Sequence, residues 1–87
     1  MNVAKIAGSK YRVTVDEGAS KTEHEVTVTA ADIARYAPSA SAEALLVASF
    51  EFLLENEPKE SIMRRFDLPV IERYFPEYPR VIGKRVS

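Results

Sequence analysis

Lys10-Tyr11-Arg12-Val13-Thr14-Val15-Asp16-Glu17-Gly18-Ala19-Ser20-Lys21-Thr22-Glu23-His24-Glu25-Val26-Thr27-Val28-Thr29 is the stretch that decides the fold. Tyr11, Val13 and Val15 alternate with Lys10, Arg12 and Thr14, and Val26 and Val28 fall on the same side as His24, which is the two-residue period of a strand. Asp16 to Lys21 between them is polar and contains Gly18, whose tolerance of positive φ suits a tight reversal. Antiparallel pairing also brings Lys10 and Arg12 towards Glu23 and Glu25, opposite charges that favour each other across strands. The reading is a β-hairpin. Val3 to Ala7 makes it three-stranded if its weaker pattern pairs despite Gly8.

A two-stranded hairpin is marginal in water, so its apolar face must rest on the helices that come after it in the chain. Thr29-Ala30-Ala31-Asp32 has the capping residue and the acid three positions on that open a helix, with Ile33, Tyr36 and Ala37 as its apolar side and Pro38 as its stop. Ser39-Ala40-Ser41 offers hydroxyls to cap the next helix, expected from about Ala42 to Glu57 before Pro58. In this helix Glu43, Glu51 and Glu55 cluster on one side and Leu45, Leu46, Ser49, Phe52 and Leu53 lie opposite. Val47, Phe50 and Leu54 carry the apolar arc round to roughly 220°, wider than the stripe of about 100° a surface helix needs. Two sides must therefore be covered. Either the domain covers both, or Val47 and Leu54 belong to a patch closed by a second copy or another protein.

Beyond Pro58, Lys59 to Phe66 reads as two turns of helix with Ile62, Met63 and Phe66 inward. Asp67 reads as the cap of a further helix, Leu68 to Phe75, with Pro69 in its first turn and Leu68, Ile71, Tyr74 and Phe75 towards the core. Pro76 and Pro79 end regular structure, and residues 80–87 read as a loose tail. The fold class is α+β: an N-terminal antiparallel hairpin of two or three strands (1–29) packed on three to four helices (30–79), with the four phenylalanines in one core.

The 87 residues allow one domain, and 46% hydrophobic content with a net charge of −1 is the composition of a folded chain. The absence of Cys excludes a disulfide, a thiol nucleophile and a Cys-based metal site, and a single His, His24, excludes a His pair. His24 is the one group that titrates near neutrality, yet it sits on a strand beside Val26, where packing is the simpler role. Glu51 and Glu55, one turn apart with Glu57 nearby, occupy the polar side of their helix as a solvated face. Gly8, Gly18 and Gly83 stand alone, so no phosphate-binding loop is formed. No catalytic residue, cofactor, metal or small-molecule ligand is expected. No apolar run approaches the ~20 residues of a membrane span or makes a signal peptide, so a cytoplasmic location is expected.

Charge is distributed unevenly. Residues 1–57 hold 5 basic and 9 acidic side chains, and residues 58–87 hold 7 basic and 4 acidic. The leading expectation is a non-catalytic interaction or regulatory module acting on a protein partner or a second copy through Val47 and Leu54. The alternative is a nucleic-acid-binding regulator, with a degenerate helix-turn-helix at about 61–75 presenting Arg64, Arg65 and Arg73. Glu72 beside Arg73 and a pI of about 5.8 count against it.

The strings Ser49-Phe50-Glu51-Phe52-Leu53-Leu54-Glu55, Glu60-Ser61-Ile62-Met63-Arg64-Arg65-Phe66-Asp67-Leu68 and Tyr74-Phe75-Pro76-Glu77-Tyr78 resemble a family of small uncharacterised bacterial proteins, over about His24 to Tyr78. The resemblance implies a shared fold and brings no activity, ligand or site residue with it.

Overall fold

The computed structural model describes residues 1–86, and Ser87, the end of the expected tail, lies outside the described residues. Three antiparallel strands obey the alternation in the sequence: β1 (Asn2–Ala7), β2 (Lys10–Glu17) and β3 (Ser20–Thr27). Val13 faces His24 and Arg12 faces Glu25 across β2 and β3, while Val3 faces Val13 across β1 and β2. Gly18 makes the β2–β3 turn at φ +63°, and Gly8 makes the β1–β2 turn at φ +51°, so the residue that interrupts the first apolar pattern is the residue that reverses the chain. The register slips between Lys5 and Ala7, a bulge in β1.

The sheet has a fourth strand where the sequence pattern predicts a helix. Only Lys59–Ser61 is helical, as a single 3-10 turn, and β4 (Arg65–Asp67) lies parallel to β3, completing the order β1-β2-β3-β4. The cause is the open edge of β3, whose backbone groups need partners. Glu25 donates its N–H to the Arg64 carbonyl at 2.8 Å, and Leu68 donates to the Thr27 carbonyl at 3.0 Å. In strand geometry Phe66 turns inward between exposed Arg65 and Asp67, a period of two that competes with the helical reading. The helix-turn-helix outline at 61–75 is consequently not formed, because its first helix does not exist.

The described residues also form four helices, besides the single 3-10 turn. Thr29 caps α1 (Ala30–Tyr36) through a full capping box: the Asp32 N–H donates to Thr29 Oγ1 at 3.1 Å and the Thr29 N–H donates to Asp32 Oδ2 at 2.9 Å. Ser41 caps α2 (Ala42–Asn56), accepting from the Ala44 N–H. The short α3 (Val70–Tyr74) comes next, and then α4 (Tyr78–Val86) occupies the segment whose sequence reads as a loose tail. Pro79 is a stop signal in the sequence, but it lies in the first turn of α4, where its missing N–H costs nothing. Tyr78 and Ile82 are fully buried, and Arg85 donates to Glu55 on α2.

This fourth helix covers a second side of α2 and so accounts for part of its wide apolar arc. Leu45, Leu46 and Phe50 are fully buried and Phe52 and Leu53 nearly so, because α2 lies between the sheet and α4. The covered side of the sheet supplies Tyr11, Val13, Val15, Val26 and Val28. Phe50 packs on Phe66 at 6.2 Å between ring centroids, while Phe52 meets Phe75 edge-on at 5.4 Å and Tyr78 at 5.9 Å. Phe75 is only partly buried, at the margin of the core.

Candidate interaction cleft

The C-terminal end of α2, the loop 57–64, β4 and α3 enclose an open cavity of about 370 Å³. Its floor is core: Leu53, Ile62, Phe66 and Ile71 line it and are themselves at most 7% exposed. Met63 and Tyr74 stand on its walls with 39% and 66% of their surface in solvent. The sequence pattern predicts both of them inward. Met63 turns out because residues 62–64 are irregular rather than helical, and Tyr74 because α3 is only five residues long and buries Ile71 in its place. The polar lining is Glu57 and Ser61, and Glu57 is the only charged residue there among the described residues.

The loop that bears Met63 is fixed by His24. A carbonyl only accepts, so His24 Nδ1–H donates to the Met63 carbonyl at 2.8 Å, and Nε2 then accepts from the Thr22 hydroxyl at 2.8 Å. The ring is 1% exposed and tilts against Phe50 at 5.3 Å. Burial pushes its pKa down, the Met63 hydrogen bond opposes this, and the positive charge of Arg64 adds to the lowering. His24 is therefore neutral at pH 7, with both nitrogens engaged. It positions a loop and has no free lone pair for acid–base work.

A second polar cluster joins α1 to α3. Tyr36 donates to Glu72 Oε1 at 2.9 Å, and Arg35 pairs with the same carboxylate at 2.7 Å. Burial and the bond to Glu72 push the Tyr36 phenol up to about 12, so it remains a donor at all ordinary pH values. Its role is to hold the two helices together.

The residues singled out from sequence are dispersed. Val47 is 36% exposed and Leu54 is partly buried against the core, and neither lines the cleft. Arg64 borders a small cavity with His24, Arg65 pairs with Glu25 from β4 at 3.4 Å, and Arg73 lies on α3. No helix presents the three together. Sequence reasoning does not find Met63, Tyr74, Glu57 and Ser61 as one site, and the signal that points to an outward Met63 is the period-two pattern of Arg65, Phe66 and Asp67. Among the described residues no group of three His, Cys, Asp or Glu side chains is placed to hold a metal, and no helix is long and apolar enough to cross a membrane. The molecule is thus an α+β domain with a four-stranded mixed sheet and an apolar cleft opening beside its core. Comparison with protein-family models, curated proteins and solved structures returns no match.

Proposed function

We propose that the protein is a small non-catalytic interaction or regulatory module that binds another protein through the cleft at the end of α2. One observation carries the reading: Met63 and Tyr74, two of the five exposed large apolar side chains among the described residues, flank a cavity floored by core residues. Contiguous apolar surface of this kind costs solubility and is a mark of interaction sites. Tyr and Met are also suited to the task, Tyr as a rigid amphipathic anchor and Met as a surface that adapts. A cytoplasmic location and kinship with small bacterial proteins belong to the same proposal. Nucleic-acid binding through Arg64, Arg65 and Arg73 is a separate proposal resting on charge, and a titration at low salt decides it, since phosphate contacts weaken as salt rises.

The test is affinity capture with two baits, the wild-type chain and a Met63→Ser/Tyr74→Ser double variant. Neither side chain belongs to the buried core, Tyr74 being largely and Met63 partly in solvent, so circular dichroism should show the variant folded. Proteins held by the first bait and lost by the second support the reading. Identical captures overturn it.

A further inference from the structure

We infer that the cleft receives a basic, apolar segment of a partner protein, seating one large aliphatic or aromatic side chain on its floor and pairing an adjacent Lys or Arg with Glu57. The inference rests on the cleft being the interaction site. What it adds is the chemistry of the occupant, argued from charge.

Glu57 is the residue that caps the C-terminus of α2, with its N–H bonded to the Leu53 carbonyl. A helix C-terminus carries the negative end of the macrodipole, so a carboxylate there is disfavoured and a cation is wanted. Yet α2 has no basic residue in its last turn, and two carboxylates, Glu55 and Glu57, stand at its end. Arg85 answers Glu55. Glu57 has no ion pair or side-chain hydrogen bond among the described residues, although it is half-buried in the cleft wall. A local choice that opposes its own helix is expected where function takes precedence over stability.

The charges on the loop and on β4 have other neighbours. Glu60 is neutralised by Lys59 at 2.8 Å, Arg65 is turned to the open face of the sheet by Glu25, and Arg64 borders the separate cavity beside His24. An occupant must therefore bring both apolar surface and a positive charge. The volume alone would admit a small molecule, and it is the open shape that favours a protein segment. A volume of about 370 Å³ is near the lower end of the roughly 300–1,000 Å³ of ligand pockets. The cavity is open, and it continues outward onto exposed Met63 and Tyr74. That shape accepts an anchor side chain and lets the rest of a chain run across the rim.

Selection of a displayed random peptide library against the full chain tests this, with titration of a selected peptide against wild type, Glu57→Gln, Glu57→Lys and Glu43→Gln as the second stage. Glu43, at the opposite end of α2, is the control. The expected peptides join a large apolar residue to Lys or Arg, bind more weakly as salt rises, and lose roughly three- to tenfold in affinity with Glu57→Gln, more with Glu57→Lys and nothing with Glu43→Gln. The melting temperature of Glu57→Lys should match or exceed that of wild type, which separates lost binding from lost folding. Peptides that need Met63 and Tyr74 but are indifferent to Glu57 overturn the basic partner while leaving the interaction cleft standing. If no selected peptide depends on Met63 and Tyr74, both fall. Octylammonium competing as strongly as the peptide would make the occupant a small amphiphile, and a dimer dissociated by Glu57→Lys would make it a second copy; either result overturns the inference.

Discussion

His24 shows how one buried polar residue links the sheet to the cleft. Its Nδ1–H holds the Met63 carbonyl and therefore the loop that carries the Met63 side chain to the rim. Its pKa is lowered in the folded chain, chiefly by burial, so between that value and 6.5 the unfolded chain binds more protons than the folded one. Stability is then full above 6.5 and falls as pH drops below it. Urea unfolding between pH 7 and about pH 5.5 should show this decline in wild type and a smaller one in His24→Gln, whose amide does not titrate. Equal slopes would remove His24 as the cause. Tyr78 makes a different buried bond. Ser49 spends its proton on the Leu45 carbonyl at 2.7 Å, so Tyr78 donates to Ser49 Oγ at 2.7 Å. Tyr78→Phe removes that bond and leaves Ser49 satisfied, which should cost about 0.5–1.5 kcal/mol in denaturant unfolding.

Among the elements, α4 and β4 are the two that tertiary contacts created. Pro76 and Pro79 together read as punctuation, yet Tyr78 and Ile82 are as buried as any residue of the central helix. Ile82→Ala should cost about 2–5 kcal/mol, the value for a large-to-small change in a core. A loose tail would tolerate it, so an unchanged melt would argue against the packing of α4. The capping box of α1 is fully legible in Thr29 and Asp32, and Thr29→Ala should cost about 1 kcal/mol in the same measurement. β4 has only three residues and survives through the edge it completes and the burial of Phe66.

At the scale of the whole molecule, α2 is the spine. The sheet and α4 cover most of its apolar arc from two sides, while Val47 stays 36% exposed and Leu54 is only partly buried. Light scattering after size-exclusion chromatography is expected to give the mass of a monomer. Phe50→Ala should cost about 3–5 kcal/mol, a heavy loss for so short a chain. Val47→Ala should shift stability by no more than about 0.5 kcal/mol, because Val47 is 36% exposed. The far side of the sheet stays open and carries mixed charge, with Lys10, Arg65 and Glu25 in one cluster.

What the sequence determined alone was whatever depends on near neighbours. Period-two alternation placed Tyr11, Val13, Val15, His24 and Val26 inward, Gly18 reversed the chain, and Ser41 and Pro58 bounded α2, because strand faces, turns and caps are decided within a few residues. The α+β class results from these. The cleft was not legible, since its walls come from α2, β4 and α3 and depend on pairings distant in the chain. Residues 62–66 hold Ile, Met and Phe at spacings that suit a helix turn as well as a strand. What settled them was the unsatisfied edge of β3, a demand for hydrogen bonds made by residues roughly forty positions away. The same distant pairing fixed the loop that carries Met63 and brought its carbonyl to His24.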